Sequence, residues 1–70
     1  MKEVPIYTEF IKLDSFLKLA NAVSSGGEAK ILITDGAVKV DGETCSMRGK
    51  KIYPEMVVSL SAGSFLCVKA

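Results

Sequence analysis

The sequence predicts an α+β fold in which a two-helix N-terminal hairpin packs on a small antiparallel β-sheet. Three observations predict it. Apolar residues Leu13, Phe16, Leu17 and Ala20 recur at the spacing of one helix face. After Gly36 the period changes to two, with Val38 and Val40 flanking Lys39. Asp41-Gly42 then offers the two positive-φ residues that a tight hairpin turn requires. The 70 residues are 49% hydrophobic and 24% charged, which is globular composition with room for one domain, taken as residues 1–70.

Val4-Pro5-Ile6-Tyr7 alternates and reads as extended, with Pro5 confining it to a sheet edge. In the first helix Val23 continues the apolar face. Asp14 sits where a carboxylate favours the positive end of the macrodipole. Lys12 and Lys18 lie off the apolar face. Ser24-Ser25-Gly26-Gly27-Glu28 interrupts the pattern, and Ser25 with Glu28 forms an S-x-x-E capping box. The second helix has Ala29, Leu32 and Ile33 on its apolar side. It should end at Asp35-Gly36, with Gly36 left-handed.

Val38 to Val40 is the first hairpin strand and Glu43 to Met47 the return. Arg48-Gly49-Lys50-Lys51 reads as a basic loop and Tyr53-Pro54-Glu55 as a turn. Val57 to Leu60 is a strand, Ala62-Gly63-Ser64 a turn, and Phe65 to Val68 the last strand.

The catalytic inventory is sparse. The chain has no histidine, so the commonest general base and metal ligand are both missing. Cys45 and Cys67 form no CxxC pair, and four-ligand zinc chemistry lacks donors. They read as small buried hydrophobes, with a disulfide as the minor alternative. The carboxylates are scattered without a metal-binding cluster. Gly26-Gly27 lacks the rest of a P-loop and follows no strand. No cofactor is expected. No signal peptide or membrane span is legible, so a cytoplasmic location is the expectation.

The formal charge is +1, but it is uneven. Residues 36–70 carry five Lys and Arg against three Asp and Glu, whereas residues 1–35 carry four against five. Arg48, Lys50 and Lys51 concentrate charge, although so short a run is more often a solvated loop. Lys18 and Lys30 join it only if the fold brings them near. Together they could neutralise several phosphates and release counterions. The amides of Gly26 and Gly27, at a helix start, could meet a phosphate, although a flexible corner is the blander reading. No aromatic pair on adjacent strand positions is legible as a base-stacking platform. The tyrosines and phenylalanines read as mainly structural.

Three segments in order carry a resemblance. They are Ile11 to Lys18, Ser25 to Lys30, and Gly36 to Glu43 with its G-x-V-x-V-D-G hairpin. They resemble the RNA-binding domain of the ribosomal protein S-four type, the alpha-L motif, over about residues 10–60. The S-G-G-x-A-K helix opening and the R-G-K-K loop resemble small stand-alone bacterial members. The resemblance implies binding of structured RNA by the two helices and the adjoining hairpin. Lys18 and Lys30 would face phosphate from the helices, and Arg48, Lys50 and Lys51 from the hairpin side, with Lys39 a weaker addition. Two departures stand out. Glycines and Glu28 occupy a segment where larger members carry Arg, and Asp41 replaces the commoner Asn.

The resulting expectation is a non-catalytic RNA-binding module that recognises structured RNA, ribosomal or tRNA-like, through a basic surface patch. A ribosome-associated protein is a further expected partner, and a membrane is not. The alternative is a protein-interaction module that keeps the fold without RNA affinity. A sulfur-carrier reading carries little weight, since those carriers need a Gly-Gly end and this sequence ends Val68-Lys69-Ala70.

Overall fold

The computed structural model describes all residues, Met1–Ala70. In chain order the elements are β1 (Lys2–Ile6), β2 (Ile11–Lys12), α1 (Leu13–Leu19), α2 (Gly26–Thr34), β3 (Lys39–Val40), β4 (Glu43–Thr44), β5 (Lys51–Ile52), β6 (Val57–Leu60) and β7 (Gly63–Lys69). Five strands form one sheet in the order β1-β7-β6-β3-β4, and β2 with β5 forms a separate two-stranded ribbon. The architecture is α+β, as expected, but two particulars differ. The helices are not the N-terminal element, because β1 and β2 precede them. The main sheet is mixed, because β1 pairs with β7 in parallel.

The parallel pair has a packing cause. Val4 and Ile6 of β1 are buried, and so are Phe65 and Cys67 of β7. Alignment of Val4 with Cys67 and Ile6 with Lys69 puts the apolar residues of both strands into one layer. The Ala70 N–H donates to the Ile6 carbonyl at 2.9 Å and ends the pairing. β1 occupies the sheet edge, as suits Pro5, since proline has no N–H to donate to a neighbouring strand.

Both helices end in the same way. After α1, Asn21 is left-handed (φ 60°), its N–H donates to Lys18 O at 3.0 Å, and the Ala22 N–H donates to Leu17 O at 3.0 Å. After α2, Gly36 is left-handed (φ 76°), with Gly36 N–H to Ile33 O at 3.1 Å and Ala37 N–H to Leu32 O at 3.0 Å. Each pair of bonds is a Schellman closure. It explains why α1 stops at Leu19 although the apolar pattern runs on. Ala20 and Val23 are still buried, from the cap and the turn. Lys2 Nζ also donates to the Ala20 carbonyl, at 3.5 Å, placing a cation at the negative end of α1.

The hairpin turn at Asp41-Gly42 has positive φ at both residues, 52° and 87°. Asp41 is tied down on two sides. Its N–H donates to Val57 O at 2.8 Å, and its carboxylate accepts from the Val57 N–H at 2.9 Å. The return strand is shorter than expected. β4 spans only Glu43–Thr44, after which the Cys45 N–H makes one last bond to Val38 O. The β6–β7 turn is Ser61-Ala62, one residue earlier than predicted, with Gly63 already paired to Leu60.

One core joins these layers. Leu13, Phe16 and Leu17 of α1, Ala29 and Ile33 of α2, Val38 just before β3, and Ile52, Val58 and Cys67 from the strands are fully buried. Both cysteines are free, and Cys45 is only half-buried. No helix is long and apolar enough to cross a membrane.

Leu17 sits at the centre of this core, so Leu17→Ala should lower unfolding free energy by roughly 2–5 kcal/mol in urea titrations. Burial pushes the Cys67 thiol above its ordinary value of 9.0. The unfolded chain therefore loses that proton first. Stability from this group is full below the ordinary value and is lost as pH rises through the higher folded one. Thermal midpoints should fall more steeply over that alkaline range for the wild type than for Cys67→Ala.

Candidate nucleic-acid interface

The site is organised by the start of α1. The first amides of a helix lack intrahelical partners and must find others. Lys12, at the N-cap, supplies no side-chain bond. Instead the Leu13 N–H donates to Lys50 O at 2.8 Å, and the Asp14 N–H donates to Arg48 O at 3.2 Å. The Asp14 carboxylate accepts from the Ser15 N–H at 2.7 Å. The carbonyls of the basic segment thus cap the helix, and its side chains are held beside it. β2 and β5 pair in antiparallel fashion on the same side, Ile11 opposite Ile52 and Lys12 opposite Lys51. The last residue of the expected loop is strand: Lys51 belongs to β5.

The second cluster forms where α1 meets α2. A Cβ added at Gly26 would lie 3.9 Å from Lys18 Cδ, so the Lys18 stem runs past the first residue of α2. Lys30 follows Gly26 by one helical turn on the same side of α2. The Gly26 and Gly27 amides precede the first intrahelical bond, donated by Ala29 to Ser25 O at 3.1 Å. Lys18 is also one turn along α1 from Asp14, which links this cluster to the 48–51 segment.

The acidic residues nearby have backbone duties. Ser25 Oγ accepts from the Glu28 N–H at 3.2 Å, completing the expected half of the capping box. The other half is shifted by one residue. The Glu28 carboxylate accepts from the Ser24 N–H at 2.7 Å and from Ser24 Oγ at 3.1 Å, not from Ser25. Glu28 thereby closes the turn between the helices.

The structure thus brings Lys18, Gly26, Gly27 and Lys30 together at the helix junction. It holds Arg48, Lys50 and Lys51 at the start of α1; all five cations are exposed. Lys39 stands apart. It is on β3, opposite Thr44 and Ser59, and lines a shallow depression with Ala37, Leu60 and Ser61. Lys50 lines an open cleft of about 480 Å³ that also contains Asp41 and Glu43, so the potential on that side is mixed.

Sequence reasoning missed Lys12, Phe10 and Tyr53. Lys12 is the register partner of Lys51. The Phe10 and Tyr53 rings, which bracket the ribbon, lie 5.6 Å apart at 43°, and Lys51 Nζ stands 4.8 Å over the Phe10 ring. Neither tyrosine is a core side chain: Tyr7 is 90% exposed and Tyr53 41%. The sequence signal was available in the matched F-I-K and K-I-Y order. It becomes readable only once the two segments are paired.

Exposed cations thus stand beside the start of α1, in its last turn and within α2, with the β2–β5 ribbon alongside. Residues 4–68 match the family model of the S4 domain, and the chain belongs to that family. It is also similar to the probable ribosome maturation protein RlbA of Bacillus subtilis (strain 168). The two are 42% identical over 66 residues, spanning 93% of each chain.

The cap at Ser25 fixes where α2 begins. Ser25→Ala should cost about 1 kcal/mol in chemical denaturation. Amide exchange should quicken at Glu28 more than at Ile33.

Proposed function

We propose that this protein is a non-catalytic cytoplasmic module that binds structured ribosomal RNA through its phosphates and serves ribosome maturation. One observation carries the reading: the carbonyls of Arg48 and Lys50 cap α1, which places the basic segment on the same helix that carries Lys18 to the start of α2. Membership of the S4 domain family and likeness to a probable ribosome maturation protein support it. The mechanism is a preformed basic band. Backbone bonds set the spacing of the cations before RNA arrives, so little ordering is left to binding. The near-neutral total charge makes the footprint local and the phosphates it meets few.

Binding to a structured ribosomal RNA fragment should weaken steeply as salt rises, and should exceed binding to duplex DNA of equal charge. Lys18→Ala with Arg48→Ala should weaken binding at every salt concentration. It should also flatten the log affinity–log salt slope by about one for each phosphate no longer neutralised. Circular dichroism should show the fold intact. An unchanged slope in the double variant would sink the band as the binding surface.

A further inference from the structure

The β2–β5 ribbon has two unlike faces. Ile52 is fully buried and Ile11 packs partly against the core. Alternation along a strand sends Lys12 and Lys51 the other way, and both are exposed. Phe10 and Tyr53 flank the pairs at the open end, with their rings in tilted contact on that same face, since Lys51 reaches over Phe10.

Two features of this face are unfavourable for stability alone. Like charges directly opposite across two strands repel, yet Lys12 faces Lys51. An aromatic pair gains most when buried, yet Tyr53 remains 41% exposed. The Tyr53 backbone is nevertheless firmly held. Its N–H donates to Met56 Sδ at 3.1 Å, and its carbonyl accepts from the Met56 N–H at 3.1 Å. Two residues on, the Glu55 N–H is anchored to β7 through Cys67 O. The ring is presented on a rigid support.

We infer that this face is a seat for one unpaired nucleobase, stacked on Tyr53 with Phe10 behind it and the flanking phosphates met by Lys12 and Lys51. Aromatic rings receive bases without regard to sequence, and a cation beside the stack serves the adjoining backbone. The seat adjoins the basic band, because Lys12 directly precedes the Leu13 amide that bonds Lys50. The inference rests on the RNA-binding reading and deepens it, from binding of phosphate to binding of a base.

The test compares two RNA hairpins with the same number of phosphates, one fully paired and one carrying a bulged purine replaced by a fluorescent purine analogue. The wild type should prefer the bulged RNA by roughly fivefold or more, the low end of a single base–aromatic stack. Its binding should quench the analogue. Tyr53→Leu and Phe10→Leu should each erase the preference and reduce the quenching, while the salt slope stays as in the wild type. Equal affinity for both RNAs with no quenching, at an undiminished salt slope, overturns the seat and leaves phosphate binding standing. No RNA binding at low salt overturns both. Quenching in the wild type decides the matter even if a variant fails to fold.

Discussion

Two amides at the start of α1 have no partner within their own helix, and the rest of the surface depends on where they find one. Leu13 and Asp14 donate to carbonyls of Lys50 and Arg48, more than thirty residues later. The β2–β5 pairing continues that junction by two residues. A buried amide left unbonded costs about 1–3 kcal/mol, so the contact is demanded by the helix whatever the side chains of the 48–51 segment are. Those side chains are therefore free to be chosen for another purpose. The chain carries positive charge there, and it does so on a segment whose backbone is held in place.

The same logic governs the acidic groups. Three carboxylates near the cations bond to backbone amides rather than to lysine or arginine side chains. Asp14 accepts from Ser15, Glu28 from Ser24, and Asp41 from Val57. Each is at a helix start or a turn, where a free amide needs an acceptor. Glu28 looked like a departure from a basic family segment. In the structure it shapes the junction that brings Lys18 to Gly26.

What was legible in the sequence was local. The apolar spacing of α1, the capping role of Ser25, Gly36 at the end of α2 and the Asp41-Gly42 turn all rest on residues within a few positions of each other. What was not legible needed partners far along the chain. Pro5 signalled an edge strand but not its neighbour, and nothing near Val4 announces a parallel partner at Cys67. A two-residue strand such as Ile11–Lys12 has no periodicity to read. The helix-junction cluster followed from the order of the segments, and Lys39 shows the limit of that reasoning. Its spacing in the hairpin resembles the others, yet the sheet places it beside Ser59.

The ribbon shows how a small domain accommodates an unfavourable pair. Lys12 opposite Lys51 repels, but in water, at the surface, the penalty is modest and screened by salt. Three features offset it. Ile52 is fully buried on the inner face, the helix amides are satisfied, and the Lys51 ammonium lies over Phe10. A bound anion would relieve the remaining repulsion, and a polyanion with a flat apolar face would meet the lysines and the aromatic pair together. On the proposed reading, the repulsion kept beside an exposed aromatic ring is a small cost in folding that a ligand would recover on binding.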